Sequence, residues 1–239
     1  MNFTVAITGA SGAVFGREAL RALESDERVA RVHFVASENS LRVMAEELGL
    51  SGRTNLLEKL LGAEYNESHP SRKDQPQVLR LAALAQNDNR VGPPDLIGVG
   101  HPDSVGRSNK TVQHSDADIG AAIASGSYPS HGMIVLPCSM GTLAAIAHGL
   151  ANSLIARAAD VTLKERRPLI LCVRETPFNR IHLRNMALAA EAGATIFPCI
   201  PAFYNKPQDS TEMARQFVCR VLAHIGLPQP GAYVWKAEE

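Results

Sequence analysis

The chain has 239 residues, 24 basic against 24 acidic side chains and 45% hydrophobic residues. That is enough apolar material for one α/β domain with a buried core. The zero formal charge excludes the basic footprint of a nucleic-acid or anionic-membrane binder.

The first apolar run, FTVAIT over residues 3–8, reads as a buried strand. It breaks at Gly9 with no basic segment before it, which argues against a secretory leader. Phe15, Ala19, Leu20 and Leu23 then share one face of a helix over 12–24. RVHFVAS (31–37) is a second strand, and SLRVMAEELG (40–49) a second helix closed by Gly49. Residues 66–110 are dense in Pro, Gly, Asn and Asp and predict a long loop insertion, with at most a short element at 77–84. KTVQH (110–114) predicts a short strand, DADIGAAIASGS (116–127) a short helix with a glycine turn, and GMIVLPCS (132–139) a strongly apolar strand. Helices follow over 141–152 and 153–167, then the strand PLILCVRE (168–175), a helix over 179–192, the strand TIFPCIP (195–201) and a helix over 210–225. The alternation predicts a doubly wound parallel sheet in a single domain spanning 1–239. The most apolar stretch, 133–159, carries Pro137, His148, Asn152 and Arg157, so it is not a membrane span.

Cys138, Cys172, Cys199 and Cys219 show no C-x-x-C spacing and no disulfide framework, which points to a reduced, cytoplasmic compartment. No H-E-x-x-H motif or Cys/His cluster supports a protein-bound metal.

In open parallel sheets, ligands bind outside the carboxyl ends of the strands. Here those exits carry Thr8-Gly9-Ala10-Ser11-Gly12, Ser37, PCSMGT (137–142), Arg174-Glu175 and PAFY (201–204). The glycines at 9, 12 and 16 match neither a dinucleotide fingerprint nor a Walker loop. That loop is either a ligand-free turn or the seat of a flat or phosphorylated ligand, with Ser11 supplying a hydroxyl. Ser139 to Thr142 open a helix whose free amides favour an anion, and Ser139 or Thr142 equally suits a cap. Arg174-Glu175 at the exit of a buried strand implies either a task or a structural ion pair, since burying charge is costly.

TGASG (8–12), SGS (125–127), PCSMGTL (137–143), RAADVTLKERRPL (157–169), RETP (174–177) and PAFY (201–204) occur in this order. Together they make the chain resemble the flavin prenyltransferases, over residues 3–62 and 110–226. The resemblance implies a flavodoxin-like or Rossmann-like three-layer fold. It implies a homo-oligomer, typically a dodecamer, with sites between subunits. It also implies metal-free transfer of a dimethylallyl group from dimethylallyl phosphate to reduced FMN, at N5 and C6. The product, prenylated FMN, serves a UbiD-type aromatic-acid decarboxylase. On matching positions, FMN falls to Gly9, Ala10, Ser11, Ser37, Ser139, Met140, Gly141, Thr142 and Arg174. The allylic phosphate falls to Arg157, Lys164, Tyr204 and Arg220, and the acid/base and catalytic work to Glu175, Glu47 and Ser11. Arg, Lys and Tyr suit the charge that builds on a departing phosphate. An apolar wall, for which DIGAAIASGS is the candidate, would keep water from the allylic cation. The competing readings are a flavin-dependent cysteine decarboxylase, a decarboxylase of aromatic acids, and a non-catalytic flavin-binding subunit of a decarboxylase complex.

Overall fold

The computed structural model describes residues 1–62 and 110–234. Its strands are β1 (Asn2–Ile7), β2 (Arg31–Ala36), β3 (Thr111–Ser115), β4 (Gly132–Cys138), β5 (Leu169–Val173) and β6 (Thr195–Ile196). They form one all-parallel sheet in the order β3-β2-β1-β4-β5-β6. The inner strands β2, β1, β4 and β5 are buried along their length without alternation because both their faces are covered.

The helices are α1 (Ala13–Ser25), α2 (Glu38–Leu48), α3 (Leu56–Leu61), α4 (Met140–Ala147), α5 (Leu154–Lys164), α6 (Arg180–Glu191) and α7 (Ser210–His224). Alternate strand residues sort them into two layers. Val5, Ile7, Ile134, Leu136 and Ile170 pack with α1, α2, α3 and α7. Ala6, Met133, Val135, Leu171 and Val173 pack with α4, α5 and α6. The chain therefore leaves β1 on one face and β4 on the other. That places the topological switch point between these neighbours, where such folds form their ligand crevice. Gly16 lets α1 reach the sheet, since a Cβ there would stand 2.5 Å from Ile7 Cδ1 and 2.7 Å from Leu136 O.

Four expectations change. The helix expected over 116–127 is only a 3₁₀ turn at Ala122–Ala124. Asp116 instead serves α5, its carbonyl accepting Leu154 N at 2.7 Å and its Oδ1 accepting Ile155 N at 2.9 Å. The helix expected over 141–152 stops at Ala147, because Gly149 turns left-handed at φ 66° and Leu150 N donates back to Ala145 O at 2.9 Å. The strand expected over 195–201 is regular only at Thr195–Ile196. Phe197 N and Cys199 N still reach Leu171 O and Val173 O at 2.9 Å, but Pro201, the next position in that alternation, has no N–H to continue the ladder. Helix α3 carries no counterpart among the predicted elements. The insertion at 66–110, with its element at 77–84, lies outside the described residues except for Lys110.

Candidate active site at the switch point

Thr8, 1% exposed at the end of β1, joins the two sides of the crevice. Its hydroxyl donates to Pro137 O at 2.9 Å and accepts Ser139 N at 2.8 Å. On either side, Ser37 N donates to Ile7 O at 3.0 Å and Arg174 N to Cys138 O at 3.1 Å. The exits of β1, β2, β4 and β5 are thus fixed to one another by main-chain bonds before any ligand arrives.

The helix N-termini that follow β1 and β4 flank the crevice on this edge, and the structure treats them differently. At α1, Gly12 stands at φ 105° and supplies no cap of its own. Glu47 reaches over from α2, and its carboxylate accepts Gly12 N at 2.9 Å and Ala13 N at 2.8 Å. An internal anion therefore already complements the positive end of α1. At α4, Ser139 caps Thr142 N at 3.4 Å and its hydroxyl bonds the Thr142 hydroxyl at 3.1 Å. The first-turn amides of Met140 and Gly141 precede any intrahelical acceptor. A Cβ on Gly141 would meet no protein atom within 4 Å, so its backbone faces open space. The α4 terminus is the one suited to a phosphate group.

The remaining glycine-loop residues divide. A Cβ on Gly9 would lie 2.5 Å from Asn39 Cβ, so this glycine is required by the packing of α2. Ala10 is buried, Ser11 is exposed at the mouth of the crevice, and the Ser37 hydroxyl caps α2 by accepting Ser40 N at 3.3 Å. Open space at Gly141, unused amides at α4 and the small residues of the loop fit a flat phosphorylated ligand such as FMN.

Arg174 is half-buried and Glu175 exposed, so the desolvation argument for a charged pair at a buried exit does not apply. No ion pair joins the two. The Glu175 carboxylate is held by the amide of Thr176 at 2.9 Å. The four residues expected around an allylic phosphate fall into two pairs. Arg157 and Lys164 lie on α5; Arg157 binds Asp160 at 2.9 Å and Ala124 O at 3.2 Å, and Lys164 pairs with Glu165. Tyr204 and Arg220 line a shallow cleft with Phe197, Ile200, Phe217 and Tyr233. Helix α5 covers one face of the sheet and α7 the other, so one subunit does not bring the two pairs together. The apolar wall expected from DIGAAIASGS is mostly core: Ala121, Ile123 and Ala124 are buried, and Ile119, 58% exposed, is its free apolar side chain.

All four cysteines are free thiols. Burial pushes those of Cys138 and Cys172 far up and that of Cys199 up to about 12, so they are neutral and unreactive at ordinary pH. Among the described residues, no group of three or more His, Cys, Asp and Glu is placed to hold a metal ion. Thr8 was not singled out as a site residue by sequence reasoning, although a hydroxyl on the last position of a buried strand is a visible signal.

The fold and the crevice define a flavoprotein of the doubly wound class, and the flavoprotein family model matches residues 1–218. The flavin prenyltransferase UbiX of Deinococcus radiodurans is 37% identical over 235 residues, which cover 98% of this chain and 93% of that protein. UbiX of Escherichia coli K12 is 52% identical over 119 residues, half of this chain and 63% of that protein. A solved structure of AnUbiX (PadA1) in complex with FMN and dimethylallyl pyrophosphate superposes with a TM-score of 0.70 at 33% identity, over 100% of this chain and 98% of that one. A dodecameric FMN-dependent Ubix-like decarboxylase from Escherichia coli O157:H7 gives 0.72 at 34% identity, over 98% and 99%. The chain belongs to the flavin prenyltransferase family. The cypemycin decarboxylase CypD, at 14% identity and TM-score 0.50, shares the fold alone.

Proposed function

We propose that the protein joins the dimethylallyl group of dimethylallyl phosphate to reduced FMN, without a metal, and hands prenylated FMN to a UbiD-type aromatic-acid decarboxylase. The observation that carries this reading is the open α4 terminus at the switch point, with Gly141 facing free space and Thr8 fixing its base. FMN offers two nucleophilic positions to an allylic electrophile. Met140 and Gly141 amides hold its phosphate, with Ser139, Thr142, Gly9, Ala10, Ser11, Ser37 and Arg174 around it. Arg157, Lys164, Tyr204 and Arg220 bind the allylic phosphate and stabilise the charge that grows on it as the carbon–oxygen bond breaks. Three cations, Arg157, Lys164 and Arg220, supply what a divalent ion supplies in other prenyl transfers. Glu175, two residues beyond the end of β5 and exposed at its carboxylate, moves the proton given to the leaving phosphate or taken as the ring closes. Glu47 contributes by holding the Ser11-Gly12 turn in place.

The two pairs of phosphate ligands lie on opposite faces of the sheet, which favours a site shared between copies in a homo-oligomer, as a dodecamer would provide. Residues 1–239 are read as one domain with an insertion at 66–110. Free thiols favour a cytoplasmic setting, and no described helix is long and apolar enough to cross a membrane. Some structural relatives are described as decarboxylases, so the test must separate the two chemistries. Incubation with reduced FMN and dimethylallyl phosphate, in the presence of a chelator, is expected to give a flavin heavier by one five-carbon unit. Release of carbon dioxide from an aromatic acid by the protein alone, with unchanged flavin mass, would replace this reading. Glu175→Gln is expected to lower turnover by roughly 10²–10⁴ with FMN still bound.

A further inference from the structure

We infer that residues 228–234, which follow α7, are a built wall of the Tyr204–Arg220 cleft, and that Gln216 is the residue that positions them. This rests on the reading of that cleft as the allylic phosphate site. Gln216 stands one helical turn before Arg220, so both project from the same face of α7 into the cleft. Its planar amide engages the main chain of the segment twice: Nε2 donates to Gly231 O at 3.3 Å, and Oε1 accepts Tyr233 N at 3.0 Å. Between these contacts Gly231 takes φ 75°, a left-handed turn that glycine adopts without strain, and Ala232 N closes it on Gln229 O at 3.3 Å.

The base of the segment is tied separately. Arg28 donates to Pro228 O at 2.8 Å, and Gln229 Nε2 donates to Asp26 at 2.9 Å. Held at both ends, the segment sets the Tyr233 ring against the Tyr204 ring, with centroids 5.2 Å apart at 44°. Tyr233, Phe217 and Arg220 line the same cleft. A wall of this kind restricts the Tyr204 ring, so that less freedom is lost when an anion binds beside it. Gln216 is thus a positioning residue that acts through Tyr233 and Tyr204. The effect falls on substrate affinity and not on flavin, because the contacts are all on the α7 face.

The test uses the full-length, FMN-loaded protein with dimethylallyl phosphate as the varied substrate. Gln216→Ala and Tyr233→Ala are each expected to raise KM about tenfold while kcat at saturation stays within about twofold, the pattern of lost ground-state binding. FMN occupancy and melting temperature are expected to stay at the wild-type values, and Tyr233→Phe, which keeps the ring, to restore KM. Arg220→Ala serves as the reference. If it raises KM and the other two alanine variants do not, the wall has no part in binding and the inference falls alone. If KM is flat in all three, the phosphate assignment of the cleft falls and the wall with it. A loss of FMN in Gln216→Ala would also overturn the inference, since it predicts none.

Discussion

Replacing Thr8 by valine tests the crevice at its most constrained point. The two side chains are close in shape, so packing at a position 1% exposed is kept while the hydroxyl is removed. Pro137 O retains a partner, because Thr8 N also donates to it at 3.2 Å. Ser139 N loses its acceptor, which stood at 2.8 Å. One partly buried amide left without a partner costs about 1–3 kcal/mol. Ser139 is also the cap of α4, so part of that cost is expected to appear as disorder at the phosphate-binding turn rather than as global instability. The expected result is a loss of about 1–2 kcal/mol in urea unfolding of the apoprotein, together with FMN binding weakened about tenfold by fluorescence titration. Thr8→Ser is the control: it keeps the hydroxyl and loses one methyl, about 1 kcal/mol of stability, and should hold FMN as the wild type does. A Thr8→Val protein that binds FMN with wild-type affinity would refute the claim that this hydroxyl sets the α4 turn.

Two further outcomes follow from particular positions. Gly141→Val should leave folding stability near the wild-type value, because a Cβ there meets nothing within 4 Å, yet weaken FMN at least about tenfold by filling the ligand's space; unchanged FMN titration would move the flavin away from α4. His33 is buried against His114 Nε2 at 2.8 Å and the Tyr128 hydroxyl at 2.6 Å, and burial first, then the charges of His114 and Arg31, hold its pKa down from 6.5 to about 3. The unfolded chain takes up this proton below 6.5 and the folded chain only near 3, so the stability is present above pH 6.5 and is lost as pH falls between them, at up to about 1.4 kcal/mol per pH unit. Urea unfolding at pH 7 and pH 5 should show a steeper loss in the wild type than in His33→Gln, and equal losses would show that His33 accepts a proton while folded.

The central sheet was legible because its signals are local. β4 and β5 are apolar runs and β1 nearly so, each bounded by glycine, proline or charge, and Ser139 announces a cap three residues before Thr142. What was not legible depends on distance in sequence. Nothing local marks Glu47 as the cap of α1, because the carboxylate comes from 35 residues further along the chain. Arg174-Glu175 reads as a buried pair from composition, but the strand ends at Val173 and the carboxylate swings out. The apolar letters of 116–127 match a helix period, yet Asp116 is recruited to α5 and the segment follows that helix instead. The family motif placed Arg157, Lys164, Tyr204 and Arg220 in one site without saying that α5 and α7 lie on different layers.

That separation of layers leads to an experiment on mixed oligomers. If one copy supplies Arg157 and Lys164 and another supplies Tyr204 and Arg220, then Lys164→Ala and Arg220→Ala damage different halves of each shared site. Each variant alone should be nearly inactive with dimethylallyl phosphate, because every site in its oligomer lacks one cation. When the two are unfolded together and reassembled, or expressed together, random mixing leaves about a quarter of the sites with both halves intact. Activity should then recover to about a quarter of the wild-type value, whereas mixing the two preassembled oligomers without exchange should recover none. A double variant carrying both changes in one chain, mixed with wild-type chains, should also leave about a quarter of the sites intact. If the four residues belonged to a single subunit, the two single variants would show no recovery together, and the double variant mixed with wild type would retain about half. The difference between a quarter and a half in the second mixture separates the arrangements even if reassembly is incomplete, because both are read relative to a wild-type sample treated in the same way.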